Sequence, residues 1–344
     1  MDVSVIIATR NRAESLAHTL AQLARQETQG VFTYEVVIVD NGSTDQTRDV
    51  VQRLTERFPV PLRYVQEPCA GKPWAVNTGF RHAQGAVFAL TDDDVRPTPT
   101  WLAGLWSCVM EERADVVAGK ILPEWTGPRP AWLSDEAIRP FVFGALGCVD
   151  HGDQRLVSSV GHPYYCVGGN LALRREVVQE LGGLDVRMGR GEDTEYSWRC
   201  LRAGKKLVYE PAAVVFHAIG PERLTTAYFR RWWHARGYYR AYRLPWRLHN
   251  LLMLESPRWY AESLELVLLW AGRSLTGRPW AQRFLCEVRL RERGSQWMQR
   301  ARLLPAMWHA VLTKGRGILS GTVSYVDVMS GRWSGAGRRG DALA

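Results

Sequence analysis

The sequence predicts an α/β fold with a mostly parallel central sheet, flanking helices and a helical C-terminal extension. Three observations support this prediction: apolar runs alternate with helical patterns between residues 3 and 91, polar residues follow several of those runs directly, and the charge changes sign along the chain. Of the 344 residues, 46% are hydrophobic, which is enough to bury the core of one large domain or of a domain with an appendage.

Four segments are expected to form strands: Val3–Ala8, Glu35–Asp40, the short Leu62–Gln66 and Ala86–Thr91. The first of them is a continuous apolar run, which is typical of a strand covered on both faces. Leucine spacing and turn residues predict helices between them, over Ser15–Arg25, Thr47–Phe58 and Pro73–His82. We expect Ser43 or Thr44 to cap the second helix. This repetition favours right-handed crossovers and a parallel sheet, whose ligands gather at the carboxyl ends of the strands.

Polar residues after the first two strands are candidates for a nucleotide site. Thr9-Arg10-Asn11-Arg12 follows the first strand, and Asp40 ends the second, just before Asn-Gly-Ser. A carboxylate at that point can accept hydrogen bonds from a base or a ribose, and the alternative is a plain turn with a helix cap. The chain lacks a GxGxxG turn after its first strand, which disfavours a nicotinamide-dinucleotide enzyme.

Three consecutive aspartates, Asp92, Asp93 and Asp94, follow the fourth strand. Adjacent carboxylates repel one another, so an unneutralised cluster at the end of a buried strand is costly and a cation resolves that cost. In an extended segment Asp92 and Asp94 project to one side and Asp93 to the other. Hard carboxylate oxygens suit Mg²⁺ or Mn²⁺, and a solvated acidic turn is the alternative.

Taken in order, a set of motifs resembles the family 2 inverting glycosyltransferases with the GT-A fold, over about residues 3 to 240. The motifs are VSVIIATRNR, VVIVDNGSTDQT, GKPWAVNTGF, FALTDDDVRP, GGNLALRREV and GEDTEYSWRCLRAG followed by LVYEPAAVVFH. The resemblance implies a GT-A catalytic domain over residues 1–220. It also implies transfer of a sugar from a nucleotide-diphospho-sugar to a hydroxyl of a cell-surface glycan or a lipid-linked saccharide.

The resemblance assigns roles to matching residues. Asp92 and Asp94 are expected to hold Mn²⁺ or Mg²⁺, and Asp193 to deprotonate the acceptor, with Glu192 as the alternative base. The expected donor-site residues are Thr9, Arg10, Asn11, Arg12, Asp40, Lys72, Asn77, Asp92, Asp93, Gly169 and Asn170. A UDP-sugar is the favoured donor, ahead of a GDP- or dTDP-sugar. Two of these motifs also have a purely structural alternative. Acidic residues such as Glu192 and Asp193 are common in the first turn of a helix, and Gly169 and Asn170 also suit a strand bulge.

Two further sites follow from the resemblance. His217, which closes the strand LVYEPAAVVFH, is expected to complete the coordination of the metal, although a lone histidine is more often structural. Arg231 and Trp232 lie in a basic, tryptophan-containing segment that family members carry next to the donor or acceptor. They are expected to clamp diphosphate oxygens or stack on a sugar ring, or else to lie on lipid headgroups.

The last third of the chain carries the whole basic excess. Residues 221–344 hold 21 Lys and Arg against 8 Asp and Glu, whereas residues 1–220 hold 23 against 27, and nine of the fifteen tryptophans lie in the last third. We expect a helical extension over residues 221–330, with helices at Leu264–Arg273 and Ala281–Arg293, and a disordered tail over residues 331–344. Arginine interleaved with tryptophan favours an anionic membrane surface as the partner, and a solvated face is the alternative.

The location predicted from these features is the cytoplasm, peripherally on the inner face of the plasma membrane. The six cysteines show no CxxC spacing, so we expect reduced thiols. The chain opens directly into a strand pattern without a signal peptide, and its longest apolar run is too short to span a bilayer.

Two other classes of protein share part of this pattern. A sugar nucleotidyltransferase also uses strand-end aspartates and a metal, but it is expected to carry a glycine-rich phosphate loop that the Thr9–Arg12 segment lacks. A basic nucleic-acid-binding protein would explain the last third of the chain and leave the acidic strand ends unexplained. Nucleic acid is therefore not an expected partner.

Overall fold

The computed structural model describes residues 1–130, 133, 144–159, 167–188, 190–243, 245–247, 262–269, 271, 284–299 and 320–324. The chain divides into two units. The first unit comprises Met1–Arg129 and Val142–Pro221, and the second comprises Pro130–Phe141 and Glu222–Ala344.

A nine-stranded sheet runs through the first unit. Its strands are β1 (Val3–Thr9), β2 (Tyr34–Asp40), β3 (Leu62–Gln66), β4 (Val87–Thr91), β5 (Val95–Pro97), β6 (Val116–Trp125), β7 (Leu156–Val157), β8 (Asn170–Arg174) and β9 (Leu207–Ile219). The order is β3-β2-β1-β4-β8-β6-β9-β5, and β7 pairs with β9. The four strands predicted from the sequence are all present, and each differs from its predicted bounds by at most one residue at either end.

The predicted parallel arrangement extends over β3, β2, β1 and β4, and the rest of the sheet is mixed. Strand β8 inserts antiparallel between β4 and β6, and β9 runs parallel to β6. Along the chain, β7 lies between β6 and β8.

Among the described residues of the first unit, the helices beside this sheet are α1 (Ala13–Leu23), α2 (Thr47–Thr55), α3 (Lys72–His82), α4 (Trp101–Glu111), α5 (Arg175–Leu181) and α6 (Glu192–Arg202). The helix predictions are confirmed, with ends shifted by up to three residues. The predicted cap of α2 is wrong. Asp45, rather than Ser43 or Thr44, accepts the backbone N–H of Thr47, at 3.0 Å. Ser43 instead accepts the backbone N–H of Asn11.

The core lies on both faces of the sheet because successive strand residues point in opposite directions. Val5 and Ile7 of β1 pack in one apolar cluster with the buried faces of α1 and α4. Ile6, between them in sequence, packs in the other cluster with Phe80 of α3 and Tyr196 of α6. Packing on both faces therefore holds the strand ends rigidly, and polar loops follow the carboxyl ends of the parallel strands.

The second unit contains helix α7 (Thr226–Arg243), helical residues 262–269 and 284–299, and a strand pair, β10 (Pro245–Arg247) with β11 (Ser320–Ser324). The helical residues overlap both helices predicted there. The predicted tail, residues 331–344, lies outside the described residues. Within the described parts of the chain, the helices fall short of the length and apolar character needed to cross a membrane.

Candidate active site

The sheet brings the predicted acidic motifs to one edge. Thr9 and Asp40 pair as neighbours at the ends of β1 and β2. Thr91, the last residue of β4, pairs with Asn170, the first residue of the antiparallel strand β8. The glycines that precede Asn170 therefore lie beside the aspartates that follow Thr91, although the two segments are far apart in sequence.

The three aspartates form a turn between β4 and β5 instead of the extended segment that we expected. Asp93 is the most buried of the three aspartates. It is buried, and its carboxylate accepts a hydrogen bond from Thr9 Oγ1 at 2.8 Å and contacts Arg12 Nη1 at 3.3 Å. Burial raises the pKa of Asp93 to about 6, against the opposing effects of Arg12 and Thr9. Asp93 thus ties the aspartate turn to β1.

Asp94 faces a second set of partners. Arg12 Nη1 lies 2.6 Å from its Oδ2, and His217 Nε2 lies 3.5 Å from its Oδ1. Burial alone would raise the pKa of Asp94, but His217 and Arg12 outweigh it and hold that pKa well below its usual range. His217 reaches this point because β9 pairs with β5 and sets His217 opposite Val95, the residue after Asp94.

Lys72 joins the two acidic motifs. It begins α3, and its ammonium is hydrogen-bonded to the Asp92 carboxylate. Partial burial lowers the pKa of Lys72, but the negative charges of Asp92, Glu192 and Asp193 outweigh that effect and raise it. A side chain on Gly168 would place its Cβ 3.4 Å from Lys72 Nζ, so the backbone of that glycine borders the same space.

Gly169 is equally close to the aspartate turn. A Cβ at Gly169 would lie 3.0 Å from Asp92 Oδ2, which is tighter than ordinary van der Waals contact. The Gly169 carbonyl accepts a hydrogen bond from Thr91 Oγ1 at 2.9 Å. The absence of side chains on both glycines therefore leaves room for the Asp92 carboxylate and for the Lys72 ammonium.

The acidic pair Glu192 and Asp193 opens helix α6. Asp193 Oδ2 accepts the backbone N–H of Gly168 at 3.1 Å, and Oδ1 accepts the backbone N–H of Thr194 at 2.6 Å. These bonds orient the carboxylate toward the glycine segment. Glu192 is buried, and burial together with the charge of Asp193 raises the pKa of Glu192 to about 7.

The predicted nucleotide-side residues form a network of loops. Asp40 is only 2% exposed, and its carboxylate accepts the Tyr64 hydroxyl at 2.5 Å and the Ser43 N–H at 2.8 Å. Asn11, with a positive φ of 53°, accepts the Thr44 N–H at 2.7 Å. Arg10 is exposed. A role for Asp40 in contacting a base stays a prediction.

Two predicted donor-site residues have their polar atoms engaged elsewhere. The Asn77 side chain both donates to and accepts from the backbone of Leu184, at 2.8 Å each. Asn170 is 1% exposed, donates to the carbonyls of Lys120 and Ala213, and accepts the Trp101 indole N–H at 2.8 Å. The Asn77 amide holds the loop at Leu184, and the Asn170 amide holds β8 against Lys120 and Ala213. The donor-site roles of both residues stay predictions.

Arg231 and Trp232 lie on α7 in the second unit. Arg231 is exposed. Trp232 stacks edge-on against Trp233, with ring centroids 5.2 Å apart, and the Arg236 guanidinium lies over both rings. The predicted contact of this segment with a donor or acceptor stays a prediction.

The donor atoms of the aspartate turn are of the right chemical type for a divalent cation. Carboxylate oxygens and an imidazole nitrogen are ligands that Mn²⁺ accepts, and Asp94 and His217 already face each other. Asp92, however, is turned to Lys72. Among the described residues, no three His, Cys, Asp or Glu side chains lie close enough together to hold an ion. Metal binding would therefore require Asp92 to turn from Lys72 toward Asp94.

The sequence interpretation missed two polar residues that build the loops around this site. Asn41 and Glu67 are both buried, and together they bond the segment that leads into Lys72. Asn41 stood in the sequence as part of an Asn-Gly turn, which is a sufficient explanation for an asparagine at that position. Glu67 carried no sequence signal, because two of its side-chain partners, Thr78 and Arg81, come from α3.

The fold and the sequence motifs agree with comparisons to known proteins. The sequence profile of glycosyl transferase family 2 matches residues 4–182, more than half of the chain, and the chain belongs to this family of glycosyltransferases. The glucosyl-dolichyl phosphate glucuronosyltransferase of Haloferax volcanii is 27% identical over 247 residues, which cover 68% of this chain and 75% of the relative.

Two solved structures share the fold. The mannosyltransferase PcManGT of Pyrobaculum calidifontis, in complex with GDP-Man and Mn²⁺, has a TM-score of 0.54 and 22% identity, covering 97% of this chain and 88% of that chain. TarS 1–349 of S. aureus, in complex with UDP, has a TM-score of 0.51 and 15% identity, covering 89% and 92%. The predictions of the family and of the GT-A fold class are confirmed.

Proposed function

We propose that this glycosyltransferase moves a sugar from a nucleoside-diphosphate sugar to a hydroxyl of a cell-surface glycan or lipid-linked saccharide, with inversion at the anomeric carbon. The observation that carries the proposal is the meeting of two acidic motifs at Lys72. The aspartate turn and the Glu192–Asp193 pair come from different elements, yet both act on one ammonium beside Gly168. A cation between two carboxylate groups suits a diphosphate on one side and an acceptor on the other.

Asp193 is the proposed base. The acceptor oxygen attacks the anomeric carbon from the face opposite the leaving group, the bond from that carbon to the phosphate oxygen breaks, and Asp193 takes the acceptor proton. Its bonds to the N–H groups of Gly168 and Thr194 support this role by holding the carboxylate in one orientation. Glu192 is the second candidate, since burial and Asp193 bring the pKa of Glu192 to about 7, near a working pH.

Asp92, Asp94 and His217 would hold a Mn²⁺ or Mg²⁺ ion. Such an ion supplies a positive charge that stabilises the negative charge developing on the leaving diphosphate. The presence of Mn²⁺ in the PcManGT complex supports this part of the proposal. Arg12 and Lys72, which contact the same carboxylates, are suited to bind phosphate oxygens.

The donor and acceptor are proposed on chemical grounds and on the fold neighbours. UDP in the TarS complex and GDP-Man in the PcManGT complex both support a nucleoside-diphosphate donor, and a UDP-sugar remains the first choice, with GDP- and dTDP-sugars next. The name of the Haloferax volcanii relative supports a lipid-linked saccharide as the acceptor.

A donor panel tests the reaction. UDP-, GDP- and dTDP-sugars are compared by thermal shift with Mn²⁺, because a ligand that binds the native state raises its apparent stability. Asp94→Ala should abolish the metal-dependent shift, while Asp49→Asn, at an exposed position of α2, should leave it unchanged. Full activity in excess EDTA would refute the metal assignment.

The base is tested separately from the donor site. Asp193→Asn should reduce turnover by about a hundredfold or more and leave nucleotide affinity near that of the wild type. Loss of donor binding with turnover preserved would instead move Asp193 into the donor site. A pH–rate profile of Glu192→Gln that keeps the acidic limb of the wild type would argue against Glu192 as the base, because a base loses activity when it is protonated.

Peripheral attachment to the inner face of an anionic plasma membrane is the second part of the proposal. Helical residues 262–269 expose Leu264 (59%), Val267 and Leu268 (61%) at helical spacing, and bury Leu266 on the other side. An exposed apolar face in a region of formal charge +13 is typical of interfacial helices.

Co-sedimentation with anionic vesicles tests the attachment. Leu268→Gln should weaken binding, whereas Met110→Gln, at an exposed site on α4 of the first unit, should not. Binding should weaken as salt rises, because the electrostatic share is screened. Protein that stays in the supernatant with such vesicles at low salt would refute the attachment and leave the catalytic proposal standing.

A further inference from the structure

The loop between β3 and α3 delivers Lys72 to the candidate active site, and one side chain from another strand end spans that loop. We propose that Asn41 is a positioning residue: by bonding the backbone of residues 67–71 it sets where α3 begins and thus where the Lys72 ammonium lies. The inference rests on the proposed donor site, of which Lys72 is the cationic part.

Every strong hydrogen-bonding group of the Asn41 amide is directed to this loop. Its Nδ2 donates to the carbonyls of Glu67, at 3.0 Å, and Cys69, at 2.7 Å. Its Oδ1 accepts the N–H of Gly71 at 2.7 Å. The side chain is buried, so these bonds are shielded from competing water. One amide therefore fixes three backbone groups within five consecutive residues.

The loop is held from its other side by Glu67. The Glu67 carboxylate accepts the N–H of Cys69 at 2.7 Å and the hydroxyl of Thr78, and Arg81 lies 3.7 Å away. The hydrogen bond from Thr78 is the main reason that the pKa of Glu67 is lowered, so the group is a carboxylate at neutral pH. Thr78 and Arg81 belong to α3 itself. Asn41 adds side-chain bonds between this loop and the end of β2, beside the backbone bond from the Glu67 N–H to the Asp40 carbonyl at 2.9 Å.

The position of Gly71 determines the start of α3. Gly71 has a φ of 136°, a conformation that favours glycine, and its carbonyl accepts the N–H groups of Trp74 at 3.1 Å and Ala75 at 3.3 Å. Lys72 is the next residue. Because Asn41 bonds the Gly71 N–H, a change at Asn41 reaches Lys72 through a single peptide unit, without any direct contact between the two side chains.

The turn that carries Asn41 is itself fixed. Asp40, the preceding residue, accepts the Tyr64 hydroxyl and the Ser43 N–H, and the Asn41 N–H donates to the Thr9 carbonyl at 2.9 Å. Asn41 therefore acts from a rigid support at the end of β2. The two ends of the proposed donor site, at Asp40 and at Lys72, are linked through it.

A double-mutant cycle with nucleoside diphosphates tests the role. The affinities for UDP, GDP and dTDP with Mn²⁺ are measured by calorimetry for the wild type, Asn41→Ala, Lys72→Met and the double variant. Asn41→Ala should weaken binding by about tenfold. In the Lys72→Met background the same change should have an effect of less than about twofold, because a positioning residue has nothing left to position.

Gln26→Ala is the matched control. Gln26 also uses its amide to bond backbone groups, donating to the Thr98 carbonyl at 2.8 Å and accepting the Leu102 N–H at 3.0 Å, away from the strand ends of the site. It should lower the melting temperature and leave nucleotide affinity unchanged. Asn41→Asp, which keeps the size of the side chain, serves where Asn41→Ala fails to fold.

Hydrogen exchange by mass spectrometry adds a readout that does not depend on affinity. Peptides covering residues 67–72 should exchange faster in Asn41→Ala and at the wild-type rate in Gln26→Ala. Three results would each overturn the inference. They are unchanged exchange of residues 67–72 in Asn41→Ala, wild-type nucleotide affinity in both Asn41 variants, and an equal loss of affinity on Asn41→Ala in the wild-type and Lys72→Met backgrounds. A wild-type protein that binds none of UDP, GDP and dTDP would instead refute the proposed donor site, and the inference would fall with it.

Discussion

Replacing Glu192 with glutamine should change how the stability of the first unit depends on pH. Glu192 is 9% exposed at the start of α6, and burial, followed by the charge of Asp193, raises the pKa of Glu192 from 4.5 to about 7. Between about pH 4.5 and 7, the native state therefore holds a proton on Glu192 that the unfolded chain has already released. The contribution of Glu192 protonation to the free energy of unfolding is fully present below about pH 4.5 and is lost as the pH rises through about 7.

The size of the effect follows from the same two values. At about 1.4 kcal/mol per pH unit, the gap between 4.5 and about 7 corresponds to an upper value of about 3 kcal/mol. Glutamine resembles the protonated acid and does not titrate. We expect Glu192→Gln and the wild type to be similar in stability near pH 4.5, and the variant to become more stable by up to about 3 kcal/mol above pH 7.

Urea unfolding at a series of pH values between about 4.5 and 8.5 measures the difference, with the transition of the first unit fitted separately from that of the second. Glu56→Gln, an exposed position just after α2, is the control and should run parallel to the wild type. Asp193→Asn should flatten the wild-type curve, because the charge of Asp193 contributes to the raised pKa of Glu192. A stability difference between Glu192→Gln and the wild type that does not vary with pH would refute the reasoning.

Four further substitutions have expected outcomes in unfolding experiments. Asn170→Leu should destabilise the first unit by roughly 4 kcal/mol, since it leaves two carbonyls and an indole N–H without their buried partner, and a loss below about 1 kcal/mol would contradict this. Gly237→Ala should destabilise the second unit by about 2 kcal/mol, because its Cβ would lie 2.1 Å from the Glu292 carbonyl oxygen. Gly294→Ala, with no atom within 4 Å of its Cβ, should instead stabilise the helix of residues 284–299 by up to about 1 kcal/mol, and the reverse order of the two glycine variants would be inconsistent with the packing. Tyr196→Phe should be neutral or stabilising by up to about 1 kcal/mol, since the buried hydroxyl has no hydrogen-bond partner among the described residues, and a clear fall in melting temperature would count against it.

Much of the first half of the sheet was predictable from local patterns. The runs at β1 and β2 are continuous and apolar, and their hydrogen-bonding partners are strands of the same kind. The second half was not, because β8 inserts antiparallel between strands that come before it in sequence, and no local pattern records that choice. The turn at Asp92–Asp94 was missed for a related reason, since Thr9 and Arg12 draw Asp93 inward from about 80 residues away.

The candidate site shows the same division between local and distant information. Residue types and their order indicated which carboxylates matter, and the family match agrees with that pattern. Position in the sequence did not reveal that Asn77 bonds Leu184, 107 residues later. Nor did it reveal that Asn170 of β8 bonds Ala213 of β9, with β6 between the two strands. An asparagine beside a glycine is equally suited to a ligand and to a buried junction, and only its partners distinguish the two.

The sequence by itself determined the α/β class, the positions of the first four strands and of the helices between them, the acidic strand ends and the family, because these depend on periodicity and on the order of motifs along the chain. The tertiary structure decided which of those residues meet. It placed Lys72 between the two acidic motifs, set His217 beside Asp94, and engaged Asn41 in holding the loop that leads to Lys72. Such contacts join residues that the fold alone brings together, and their geometry arises from strand pairing and packing over distances that no sequence window covers.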